Sequence, residues 1–290
     1  MGATNPLSQY AFNVSSQFGE DGILQKIFEI LPDVSMWCVE FGAWDGKMGS
    51  NCYNLITNFK WNAVLIEASP FKFVALKKNY EENPRVYLVN QMVSYSGKDK
   101  LDNILTKTPL PKNFDLLSID IDGNDYHVWE AFKEYSPKVV IIEFNQTIPS
   151  DIEFVQKKDL TVNQGSSILS ICNLGRSKGY ELIATTFCNA VFVKKEYFNL
   201  FDIKDNSLDV LWNIGFEVPR VFQLYDGTIV LSKEFDLFWK KIRVNRFDLQ
   251  KIPKRSRYYI DAQKRRGLRK RLGRLYRRIR TFIGLPAFKQ

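Results

Sequence analysis

The run Asp120-Ile121-Asp122-Gly123-Asn124-Asp125-Tyr126-His127 sets three carboxylates and the chain's single histidine within eight residues. Like charges so close oppose one another's ionisation, so such a run requires a cation or protein donors. Glu143 and Asn145 end a later apolar segment, where their oxygens could meet those of the first run. Hard oxygen donors of this kind suit magnesium, manganese or calcium better than zinc. The spacing is not that of an EF-hand, which needs further acids and a glutamate at its twelfth position. The same residues also read as a turn and helix cap, with Asp125 as the cap. Asp122 is the first candidate for a general base. His127, expected in the first turn of the next helix, is the second, because a neutral imidazole takes a proton near neutral pH.

A second constellation is Val39-Glu40-Phe41-Gly42-Ala43-Trp44-Asp45-Gly46, an apolar strand ending in a carboxylate, two glycines and another acid. Glycines there let a backbone approach a ligand as no larger residue can. Glu67 ends the next apolar run, where a carboxylate can accept hydrogen bonds from both hydroxyls of a ribose. Asn90, Met92 and Val93 follow a third run and could flank an adenine.

These residues need a scaffold that brings strand ends together. Apolar runs at 36–41, 63–68, 86–90, 116–120 and 139–144 alternate with helical patterns at 23–31, 54–58, 71–82 and 125–134. Continuous apolar strands alternating with helices imply a parallel sheet covered on both faces, with the ligand beyond the strands' carboxyl ends. After a helix at 166–178, runs at 180–186 and 190–193 lie too close for a crossover helix, so they must form an antiparallel hairpin.

The 290 residues, 45% of them apolar, suffice for one main globule. Four scattered cysteines without metal-ligand spacing read as reduced thiols, which points to the cytoplasm. No signal peptide, lipid anchor or membrane-spanning run is evident. The net charge of +9 is unevenly divided: residues 251–290 carry 15 Lys/Arg and one acid, leaving the first 250 residues at −5. From Gln263 to Leu285, apolar residues recur every three or four positions among arginines, the pattern of a basic amphipathic helix. Between core and tail, Asp226-Gly227 flanked by apolar runs predicts another hairpin. The expected division is therefore a core at 1–195, an extension packed on it at 196–250, and a basic tail at 251–290.

Five parallel strands closed by a hairpin resemble the Rossmann-like fold of S-adenosylmethionine (SAM)-dependent methyltransferases, here a seven-stranded, mostly parallel sheet with a basic amphipathic C-terminal helix. Within that group the chain resembles the FkbM-type branch, including bacterial members associated with surface polysaccharides. The resemblance rests on Ser16-Gln17-Phe18-Gly19-Glu20-Asp21-Gly22, Val39 to Gly46, Ile66-Glu67-Ala68, Leu117 to Tyr126 and Val140 to Asn145, within residues 15–195. It departs from the commoner Ile-Asp-Val-Glu-Gly run after the fourth strand by having Asp122 and Asn124-Asp125.

The resemblance implies methyl transfer from SAM to a sugar hydroxyl. The cofactor would be held by Gln17, Asp21, Glu40, Gly42, Ala43, Asp45, Gly46, Glu67, Ala68, Met92 and Val93. Asp120, Asp122 and His127 would serve catalysis, and Mg²⁺ or Mn²⁺ would lie on Asp120, Glu143 and Asn145. The tail at 251–285 suits an anionic membrane interface, which would make the protein peripheral at the inner face of the membrane. Packing on the domain or a second copy of the chain is the alternative. An RNA-directed methyltransferase using the tail is a competing function, opposed by the acidic body, and a non-catalytic scaffold is another.

Overall fold

The computed structural model describes residues 5–212 and 219–257, together with residues 273, 275, 276, 278 and 279. The first expected helix is α1 (Glu20–Ile30), and β1 (Trp37–Phe41) follows Pro32. Next come α2 (Tyr53–Thr57), β2 (Asn62–Glu67), α3 (Pro70–Tyr80) and β3 (Val86–Asn90). The chain continues through α4 (Leu101–Leu105), β4 (Leu116–Ile119), α5 (Asp125–Ala131), β5 (Val139–Glu143) and α6 (Ile168–Ser177). The hairpin of β6 (Tyr180–Thr185) and β7 (Asn189–Lys194) closes the series.

The strands form one sheet in the order β3-β2-β1-β4-β5-β7-β6. Strands β1 to β5 pair in parallel, and β7 runs antiparallel to both β5 and β6. This is the Rossmann-like methyltransferase arrangement. Because β1 lies between β2 and β4, the chain's crossovers diverge on either side of it, opening a crevice at the strands' carboxyl ends.

The continuous apolar strands are explained by burial on both faces. On one face Ile23, Leu24 and Ile27 of α1, Leu55 and Ile56 of α2, and Leu76 and Tyr80 of α3 cover the sheet. On the other, Leu101 and Ile104 of α4, Val128 and Trp129 of α5, and Ile168 and Ile171 of α6 do so. Each fully buried Leu, Ile or Phe side chain contributes on the order of 1.5–3 kcal/mol, so these faces anchor the strand ends firmly. Helix α4 has too short an apolar pattern to be legible in the sequence, and α5 stops at Ala131 instead of Glu134.

The expected boundary at residue 195 is displaced. The chain divides into compact units Met1–Phe216 and Glu217–Gln290. The first unit retains a 3-10 turn (Lys195–Phe201) and α7 (Leu208–Leu211), because Phe201, Ile203 and Leu211 are buried in its core. The second unit contains the hairpin β8 (Val221–Gln223) and β9 (Ile229–Leu231), the short pair β10 (Phe235–Asp236) and β11 (Arg243–Val244), and α8 (Arg246–Leu249). Asp226 and Gly227 turn the first of these hairpins: Asp226 accepts from Thr228 N at 2.9 Å and Gly227 has φ 86°. Most of the expected tail helix lies outside the described residues. Residues 273, 275, 276, 278 and 279 are helical, and Leu275, Tyr276 and Ile279 among them are exposed.

At the amino ends of the strands, opposite the crevice, buried Asp115 accepts from Ser35 N and Oγ and from Trp37 N, and pairs with Lys138 Nζ at 3.1 Å. Removing one member of a buried pair strands the other charge. Asp115→Ala is expected to lower the unfolding free energy by about 3–5 kcal/mol, measured by urea denaturation with unchanged slope.

Candidate active site

The turn after β1 comes first, because its backbone determines how close the other strand ends can lie. Gly42 has φ 76°, and a Cβ there would stand 1.8 Å from the Asp120 carbonyl oxygen. Only glycine lets the ends of β1 and β4 approach this closely. Ala43 N donates to Ile66 O at 3.1 Å, tying the same turn to β2. Gly46, at φ 71°, seats the chain against Leu76 and Tyr80, where a Cβ would come within 2.5 Å of both side chains.

Two buried carboxylates brace this turn. Glu67 accepts from Trp44 N at 2.9 Å and from Ser69 N at 2.7 Å, which leaves lone pairs on both oxygens for a ligand. Glu40 accepts from Ser50 Oγ at 2.5 Å, Asn51 N at 2.8 Å and Ser118 Oγ at 3.4 Å, holding the loop to the sheet. Burial pushes the Glu40 carboxyl up to about 7, against the opposing effect of those hydrogen bonds.

Across the crevice, Asp120, Asp122 and Glu143 bring one carboxylate oxygen each to within 4.8 Å of one another. Asp122 holds the left-handed conformation at φ 60°, uncommon for a side-chain-bearing residue. Asp125 fixes that turn, accepting from Ile121 N and Gly123 N at 2.8 Å each. Asp125 is therefore not the helix cap expected from the sequence: Asn124 holds that position, and Asp125, the first residue of α5, turns its carboxylate back onto the preceding turn. Asp120 and Asp122 open onto the crevice and Glu143 is half-buried. Crowding by protein is the main cause that raises Asp120 to about 7 and Glu143 to about 10. The charges of the neighbouring acids add to it: Asp125, Asp122 and Glu40 for Asp120, and Asp120, Asp125 and Asp122 for Glu143.

Both groups line one cavity of about 430 Å³. Of the residues singled out in the sequence, Gln17, Glu40, Gly42, Ala43, Glu67, Ala68, Val93, Asp120, Asp122 and Glu143 line it. The others are placed elsewhere. Asp21 accepts from Val14 N, Ser15 N, Ser16 N and Ser16 Oγ on its Oδ2, pinning the chain ahead of α1, while its buried Oδ1 has no hydrogen-bond partner among the described residues. Asp45 accepts from Lys47 N and Met48 N inside its own turn, and Gly46 packs on α3. Met92 is exposed outside the cavity lining.

His127 does not reach the crevice. It is buried, its Nε2 lies 2.7 Å from Gln156 O, and Tyr95 and Tyr126 stack edge-on against its ring. Helix α5 starts at the crevice, but the third position of its first turn points toward the 145–166 segment. Asn145 likewise is not in the acid cluster: it donates to Gln164 O at 2.6 Å and accepts from Thr147 N at 2.9 Å.

Sequence reading missed Glu20, Asn51, Lys72, Gln91 and Asn189, all of which line the cavity. Glu20 stands between the two walls, accepting from Phe18 N at 2.7 Å, Thr186 Oγ1 at 2.6 Å and Asn189 Nδ2 at 3.0 Å. Among the described residues Lys72 is the single lysine or arginine of the lining, and its Nζ sits 5.0 Å above the Trp44 ring. Asn189 is paired in register with Glu143, a proximity that no local pattern reveals.

No protein-family model matches the chain, and no curated protein matches it. Among solved structures, a SAM-dependent methyltransferase from Aquifex aeolicus aligns at 14% identity and TM-score 0.38 over 61% of this chain and 89% of the other. The N-terminal domain of EvdMO1, solved with S-adenosylhomocysteine and D-fucose, aligns at 12% identity and TM-score 0.42 over 63% and 89%. The citrinin polyketide synthase CMeT domain aligns at 11% identity and TM-score 0.39 over 60% of this chain, which spans only 50% of that domain. Likenesses this distant carry no functional weight, and the fold assignment stands on the strand order.

A carboxyl whose pKa is raised on folding favours the folded state below its unfolded value and loses that contribution as pH rises through its folded value. Glu40, Asp120 and Glu143 all shift this way. Stability in metal-free buffer is therefore expected to fall from about pH 4 through pH 7, where Glu40 and Asp120 titrate, toward about pH 10, where Glu143 does, and Mn²⁺ is expected to restore part of it above pH 7. In Asp120→Asn, denaturant unfolding across that range should show a shallower pH slope and no Mn²⁺ effect.

Proposed function

We propose that the chain is a SAM-dependent O-methyltransferase of the FkbM type acting on a sugar hydroxyl of a glycan or lipid-linked polysaccharide. The observation that carries this reading is the pairing, in one cavity, of a glycine turn braced by Glu67 with an acid cluster 4.8 Å or less across. The first half fits a nucleoside: the backbone comes close at Gly42, and Glu67 keeps lone pairs for two ribose hydroxyls. SAM held there supplies an electrophilic methyl carbon.

The second half fits a polyol. Asp120, Asp122 and Glu143 offer the hard oxygen donor set of a Mg²⁺ or Mn²⁺ site, and a cation held by them would lower the pKa of an acceptor diol. Asp122, open to the crevice and held by the Asp125 brace, receives the acceptor's proton. Glu20 and Asn189 border the same wall and orient the acceptor's remaining hydroxyls. The basic segment 251–285 brings this crevice to an anionic membrane surface. Among the described residues no helix is long and apolar enough to cross a membrane.

Glu67→Ala removes a charged acceptor worth on the order of 1.5–3 kcal/mol and should weaken SAM binding roughly 10- to 150-fold by calorimetry. The activity itself is tested by mass spectrometry of the producing cell's glycans with and without the gene. Loss of a single methyl from one sugar is expected, with in vitro activity abolished by EDTA, whereas unchanged glycans beside a demethylated RNA would sink the proposal. Truncation after Ile252 is expected to abolish binding to anionic liposomes, and undiminished binding would remove the tail from the account.

A further inference from the structure

A second cavity, of about 330 Å³, lies toward the amino ends of the strands, away from the crevice. Lys112 and Asn113 border it just before β4, Ser136 just before β5, and Lys178 and Tyr180 at the junction of α6 and β6. Its apolar wall is aromatic: Trp129, Phe132, Tyr135 and Tyr180 are all buried, and Phe132 and Tyr135 stack at 5.9 Å with their planes 5° apart. Three lysines, Lys112, Lys133 and Lys178, line it against a single acid, Glu134.

None of these lysines forms an ion pair among the described residues. Lys112 Nζ lies 3.9 Å from the centre of the Tyr135 ring, and Lys178 Nζ donates to Phe132 O at 2.7 Å. The Lys133 ammonium has no partner among the described residues, while its backbone N–H is held by Asp102. Burial and then the neighbouring Lys133 hold the Lys178 amine below its ordinary value, against the opposing pull of Asp102 and Glu130. Surface lysines normally scatter into solvent or pair with carboxylates; here three converge on a concave aromatic wall with no ion pair to any of them among the described residues, and Glu134 is the one acid of the described lining.

We propose that this cavity binds an oxyanion-bearing ligand, its phosphate or sulfate group held by Lys112, Lys133 and Lys178 and its body resting on the Phe132 and Tyr135 wall. Ammonium groups bind phosphate as point charges, and those of Lys112 and Lys178 are already fixed by a ring and a carbonyl. The cavity exceeds what one phosphate needs, which fits a phosphorylated small molecule or the phosphate end of a larger carrier. The site is independent of the methyl-transfer reading, since none of its residues lines the crevice.

The test is lysine acetylation footprinting of the full chain by mass spectrometry, with inorganic pyrophosphate as one probe and vesicles containing phosphatidic acid as the other. Protection of Lys112, Lys133 and Lys178 by pyrophosphate supports a soluble phosphorylated ligand. Their protection by the vesicles alone supports a lipid-borne phosphate. The basic C-terminal unit supplies an internal control: protection confined to lysines beyond residue 217, with these three unprotected by either probe, overturns the proposal. In Lys133→Ala, whose exposed side chain has no partner to lose, protection of Lys112 and Lys178 is expected to require at least roughly fivefold more pyrophosphate and to weaken with salt. Unchanged protection in that variant also overturns it. SAM binding, measured in parallel, is expected to stay within about twofold of the unaltered chain.

Discussion

The approach of Gly42 to the Asp120 carbonyl is the constraint on which the crevice depends. With a Cβ-free residue at φ 76°, the glycine turn after β1 and the acid-bearing end of β4 share one cavity. Any side chain would push β1 and β4 apart at their carboxyl ends, where neighbouring parallel strands diverge to opposite faces. Everything else in the site accommodates that contact. Glu67 and Glu40 tie the turn to β2 and to the loop before α2, and Asp125 holds the turn of Asp122 from the other side.

The electrostatics follow from the same compression. Glu20, Glu40, Glu67, Asp120, Asp122 and Glu143 face one cavity with Lys72 as its only lysine or arginine. Those on the cofactor side are largely answered by backbone N–H groups and hydroxyls, which is how buried carboxylates remain tolerable. Those of the acid cluster stand against one another, and Asp120 and Glu143 are raised by burial first and by the neighbouring charges after it. A donor set in that condition gains from a cation or from acceptor hydroxyls. The amino ends of the strands show the reverse imbalance, three lysines that form no ion pair among the described residues.

Much of this was legible in the chain. The apolar runs mark β1 to β7 within a residue or two, and the three residues between β6 and β7 exclude a crossover, which decides the hairpin. Glu67, Gly42, Asp120, Asp122 and Glu143 are legible for the same reason: each terminates an apolar run, and parallel strands end on a common side. His127 shows the limit. Its position in the first turn of α5 agrees with the pattern, but the direction of its side chain is decided by the 145–166 segment, whose Gln156 carbonyl takes the ring.

Sequence alone therefore determined the order and type of elements, since burial on both faces of a parallel sheet leaves an unbroken apolar record. It also determined which strand ends carry carboxylates. Tertiary structure decided which carboxylates are free for a ligand. Asp45, Asp125 and one oxygen of Asp21 are occupied by nearby backbone donors, whereas Glu20 is held by Thr186 and Asn189 from the far end of the chain. A carboxylate's partners depend on where the backbone N–H groups and hydroxyls come to lie in space. Residue type and spacing do not encode that for contacts more than 160 positions apart.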